Sequence, residues 1–139
     1  NGIIGTTTNN NASSGFVGEY VSNQILFANA ISVTNVTETD ITSINLSAGD
    51  WTVYGTVFVE YSVGAGDYIG WINTASATIT NDSQNSLLSL TAGTIAEYGG
   101  SIKSLRVSLA SPGTAYLSVY VDSAGSATAC GMIWARRER

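Results

Sequence analysis

The sequence predicts an all-β domain, an antiparallel β-sandwich of jelly-roll type, and two observations carry that expectation. Short runs rich in Val, Ile, Thr, Tyr and Phe alternate with polar residues at period two and are separated by Gly, Asn, Asp and Ser. No segment keeps an apolar period of about 3.6 residues over three turns, so no helix interrupts the succession of strands. Closely spaced strands without helices bury their apolar faces against one another, in a sandwich or jelly roll.

Residues 1–15, mostly Gly, Thr, Asn and Ser, offer too little apolar surface to fold alone. They read as a linker to an upstream segment of a longer protein, leaving 16–139 as the sandwich domain. Strands are expected over 18–21, 30–36, 40–46, 50–62, 67–73, 77–80, 87–90, 101–109, 114–121 and 126–136, with one short helical turn allowed at 25–30. Ser47-Ala48-Gly49-Asp50 places a glycine where positive φ is cheap, and Ser111-Pro112-Gly113 has the Pro-Gly order of a type II turn. Asp122-Ser123-Ala124-Gly125 links the last two strands. The expected inner face includes Trp51, Val53, Val57, Val59, Leu105, Val107, Leu117 and Val119.

The segment 50–61 is apolar on both faces. Trp51, Val53, Gly55, Val57, Val59 and Tyr61 share one side, while Tyr54 and Phe58 stand on the other among Thr52, Thr56 and Glu60. The second aromatic face requires a second partner, either another sheet of the same chain or another subunit. Only 11% of the residues are charged, against roughly 25% in ordinary soluble domains. Together these features point to burial between subunits, with Tyr54 and Phe58 as interface candidates.

A net charge of −5 with only five basic residues argues against a nucleic-acid partner. Arg136, Arg137 and Arg139 read as a solvated tail or subunit contact. Cys130 stands alone, so an intrachain disulfide is excluded, and its position within a strand makes it a small buried hydrophobe. No apolar run approaches 18 residues, so membrane insertion by a helix is not expected.

Leu46-Ser47-Ala48-Gly49-Asp50-Trp51 leads into a long strand, Pro112-Gly113 marks a late hairpin, and the chain closes on Ile133-Trp134-Ala135-Arg136-Arg137-Glu138-Arg139. This combination, over roughly residue 5 to the end, resembles the C-terminal domain of tail fibre and tailspike proteins of tailed bacteriophages and prophages. The resemblance implies an antiparallel sandwich assembled as a parallel homotrimer at a fibre tip, in the virion tail. It also implies recognition of a host surface receptor, commonly a polysaccharide or lipopolysaccharide, or else nucleation of a trimer for upstream parts. Binding residues do not carry over, because the loops vary most.

Some tailspikes degrade glycans, but glycoside hydrolysis needs two carboxylates held at a defined separation, and none of the ten acids forms a distinguishable pair. The absence of His removes Ser–His–Asp and Cys–His catalysis and histidine zinc sites. No enzyme activity, metal or cofactor is expected. Calcium at Asp67 or Asp82 lacks the spacing of a dedicated loop. Glycan binding needs an aromatic platform with amides and carboxylates beside it. Asp67, Tyr68 and Trp71 are the best local cluster, joined if the fold allows by Asn81, Asp82 and Tyr98. Alternation from Tyr68 equally allows Trp71 to enter the core, and Tyr98, followed by Gly99, is the stronger candidate for an exposed aromatic.

Overall fold

The computed structural model describes residues 11–62, 66–79, 86–91, 97–123 and 125–139. Its strands are β1 (Tyr20–Ile25), β2 (Ile31–Val33), β3 (Thr39–Leu46), β4 (Gly49–Tyr61), β5 (Gly66–Asn73), β6 (Ser86–Thr91), β7 (Glu97–Leu109), β8 (Gly113–Ser123) and β9 (Ala127–Arg137). The one helical element among the described residues is a 3-10 turn at Phe27–Asn29, inside the stretch where a helical turn was allowed. The first sheet is ordered β1–β9–β4–β7, with β2 also pairing to β9; the second is ordered β3–β8–β5–β6. All pairings are antiparallel. β1 and β2 pair with successive stretches of β9, so they form one edge strand interrupted by the 3-10 turn. Except for β1 to β2 and β5 to β6, every connection crosses between the sheets. That is jelly-roll connectivity.

The core lies between the sheets. Trp51, Val53, Val57 and Val59 of β4, Val107 of β7, and Leu117 and Val119 of β8 are buried as the alternation predicts; Leu105 is half-buried against them. Between Val53 and Gly55 the register against β7 slips by one residue, a bulge that leaves both Lys103 and Ser104 exposed. Cys130 is buried within β9, and burial raises its thiol pKa.

Two local expectations are corrected. Residues 77–79 form no strand: the Asp40 carboxylate accepts the backbone N–H of Ala77 at 2.8 Å, and Ala77 has a φ of 42°, outside the strand region. Gly113 does not take the positive φ of a type II turn; it opens β8 in register with Leu46.

Candidate functional site

The three segments that carry the family resemblance meet at one corner of the sandwich. Leu46 is in register with Gly113, Gly49 with Leu109, and Trp51 with Arg137. The Asp50 carboxylate accepts hydrogen bonds from Arg106 at 2.9 and 2.6 Å and from Arg139 at 3.0 Å. These bonds, Arg106 first, hold the Asp50 pKa down to about 2 and raise that of Arg106. Arg137 is 5% exposed. It donates to Glu19 at 2.9 Å, to the Ala48 carbonyl at 2.8 Å and to the Ser47 hydroxyl, and its guanidinium lies 4.4 Å from the Trp51 ring centroid. Gly49, at φ 143°, makes room: a Cβ there would lie 1.9 Å from Arg137 Nη1. Burial pushes the Glu19 carboxyl up, but hydrogen bonds from Gly15 N–H and Arg137 outweigh it and leave the pKa lowered. The expectation of a solvated basic tail is therefore corrected for Arg137. Its planar fork satisfies acceptors from two turns, whereas Arg136 stays exposed.

The expected ligand cluster does not assemble as a binding surface. Asp67 is exposed on β5, paired across the ladder with Asp122. Tyr68 and Trp71 are both 0% exposed, so neither ring presents a face to a ligand. They lie in a strand instead of a loop, and on opposite faces. Tyr68 points into the core, with ring centroid 6.1 Å from that of Tyr98. Trp71 points the other way, beside Ser118, and its Nε1 donates to the Thr78 carbonyl at 3.0 Å. Asn73 donates to the same carbonyl at 2.9 Å, which ties residue 78 to the outer side of the second sheet. Tyr98 is also corrected: it is half-buried, packs on the core and meets Tyr61 edge-on at 6.1 Å. Burial pushes the Tyr61 phenol up to about 12 and raises Tyr68 as well; neither hydroxyl finds a partner among the described residues. Asn81 and Asp82 lie outside the described residues.

The aromatic surface lies instead on the outer face of the first sheet. Register places Tyr54 beside Trp134, and their rings stack at 5.6 Å with planes 10° apart. Phe58 lies beside Cys130, and its ring spreads over Gly99, where a Cβ would come within 3.1 Å. Phe27 of the 3-10 turn folds back edge-on to Phe58 at 5.4 Å. Both interface candidates thus have partners in their own chain, and both remain partly exposed. Beside Phe58 an open hollow of about 490 Å³ is lined by Gln24, Phe27, Thr56, Ser101 and Met132 among others. Gln24, Met132, Thr56 and Ser101 form one register row across β1, β9, β4 and β7. The Gln24, Thr56 and Ser101 side chains make no hydrogen bond to another described residue. Tyr54, Phe58 and Thr56 were legible on this face from the sequence; Phe27, Trp134, Gln24 and Ser101 were not, because only the strand order and the 3-10 turn bring them there.

Among the described residues no group of three or more His, Cys, Asp or Glu is placed to hold a metal. No helix among them is long and apolar enough to cross a membrane. No family model matches the chain, and no curated protein matches it. Among solved structures, the chain is similar to one in the structure of the infectious bursal disease virus Gx strain, with a TM-score of 0.47 and 16% identity. The match covers 86% of this chain and 30% of that one, so this chain spans less than a third of that chain's length.

Proposed function

We propose that this domain is the C-terminal domain of a tailed-bacteriophage or prophage tail fibre or tailspike. In that reading it assembles as a parallel homotrimer and attaches the virion to a bacterial surface glycan. The observation that carries the reading is the shared corner. Segments 46–51 and 133–139 are bonded to each other through Asp50, Trp51 and Arg137, and Gly113 of the late hairpin lies in register with Leu46, so the features that together suggested the family are neighbours in space.

Self-association uses the end of the first sheet's outer face near this corner. Tyr20 is in register with Arg136 and lies on the same face as the Tyr54–Trp134 pair; Phe16 and Val17 are 66% and 59% exposed at the start of the domain. In a parallel trimer three linkers converge there, so these apolar side chains leave water together. The domain acts by binding and not by catalysis. The test is adsorption of the fluorescently labelled full-length protein to a panel of bacterial strains, with and without enzymatic removal of their surface polysaccharide. Strain-selective binding that disappears with the polysaccharide supports the reading; equal binding to all strains, or to none, opposes it.

A second reading is favoured by the burial of Tyr68 and Trp71, which removes the expected loop platform. Here the domain is a trimerisation clamp, and receptor binding or hydrolysis resides elsewhere in the full protein. Deleting the domain then abolishes assembly, while its isolated trimer binds no strain.

A further inference from the structure

We infer that the hollow on the outer face of the first sheet is a saccharide-binding site, taking one or two pyranose units of the surface glycan. This inference rests on the receptor-binding reading above and names the surface that serves it. The volume of about 490 Å³ falls within the range of small-ligand sites. Phe27 is 54% exposed and stands edge-on to Phe58, so the two rings form an apolar corner. The C–H face of a sugar ring packs against such a corner. Gly99 keeps the floor low: its missing side chain lets the Phe58 ring lie on the edge strand β7.

The polar side matches the other half of a sugar. Gln24, Thr56 and Ser101 project from one register row with hydrogen-bonding groups unspent among the described residues. An amide and two hydroxyls supply both donors and acceptors, as vicinal sugar hydroxyls require. Strands stand about 4.8 Å apart, so the row spans about 14 Å across β1, β9, β4 and β7. This polarity also separates the hollow from the Tyr54–Trp134 end of the face. A second protein copy seated here would bury three polar side chains against another apolar surface, at a desolvation cost. A saccharide meets them with hydroxyls.

The test uses the full-length protein and an array of bacterial capsular polysaccharides and lipopolysaccharide O-antigens, followed by titration of an oligosaccharide from the best-bound polymer. Ser101→Trp fills the hollow from an exposed edge position, and Gln24→Ala removes the amide; neither side chain belongs to the core. Each variant is expected to weaken binding at least about tenfold with unchanged thermal midpoint and oligomeric mass. Asp67→Ala is expected to bind as the parent does. If the parent binds and both hollow variants bind equally well, the hollow is the wrong site and the receptor reading stands. If the parent binds nothing on an array that includes the polysaccharide of its host, the receptor reading fails and the inference with it. Loss of oligomeric mass in Ser101→Trp identifies the hollow as a subunit contact and overturns the inference.

Discussion

Replacing Arg137 with Ala tests whether the corner that unites the family-like segments also holds the fold together. The side chain is 5% exposed and bonds Glu19, Ala48 and Ser47 while covering Trp51. Truncation removes those donors and leaves the largely buried Glu19 carboxylate without its cationic partner, facing the Gly15 N–H and Ser14. Removing one member of a buried, hydrogen-bonded ion pair costs about 3–5 kcal/mol. At about 3 °C per kcal/mol for a chain of this length, the midpoint should fall by about 10–15 °C. Arg137→Lys keeps the charge but not the planar fork, so about 1–2 kcal/mol should be lost. Urea denaturation followed by tryptophan fluorescence, at one fixed protein concentration, measures both, since Trp51 lies beneath the guanidinium. An Arg137→Ala variant within about 1 kcal/mol of the parent would mean that the corner behaves as a solvated surface pair and does not hold the fold together.

Val57→Asp should prevent folding, since Val57 is 2% exposed and an unpaired carboxylate there costs several kcal/mol; far-UV circular dichroism of the purified variant checks this. Acid should loosen the corner late. The Asp50 pKa is lowered from 3.8 to about 2, so its stabilising effect is complete above pH 3.8 and is lost as pH falls through about 2. Asp50→Asn should flatten the denaturation midpoint over that window. Tyr61 behaves in the opposite sense: its pKa is raised from 10.0 to about 12, so its contribution is intact below pH 10 and lost as pH rises through about 12. Tyr61→Phe should remove that part of the alkaline destabilisation, followed by phenolate absorbance and midpoint.

The core was legible in the sequence because a buried strand face writes itself at period two. Trp51, Val53, Val57 and Val59 needed no knowledge of their partners. For Trp71 burial was one of the two options the sequence left open, but the place of that burial was not legible. It lies on the outer side of its sheet, yet is fully buried, with Thr78 accepting its N–H and Asp40 bound to Ala77; no periodicity announces such a cover. Arg137 looked like a tail because its acceptors are the Ala48 carbonyl and Ser47 hydroxyl of one distant turn and a glutamate more than a hundred residues away. The candidate site was hidden for a related reason. Gln24, Thr56, Ser101 and Met132 are ordinary polar or adaptable residues in isolation, and only the order β1–β9–β4–β7 and its register align them. Tyr54 and Phe58 were recognisable as an excess of aromatics on a second face, but their partners Trp134 and Phe27 come from distant strands and a 3-10 turn.

Homotrimer assembly is the element shared by both functional readings, and light scattering on the purified chain measures it directly. At micromolar concentration the expected particle is three times 14.4 kDa, about 43 kDa. Tyr20→Ser combined with Trp134→Ser should shift that mass downward, because both side chains lie on the proposed contact face. A parent protein that scatters as a 14.4 kDa monomer would contradict both readings.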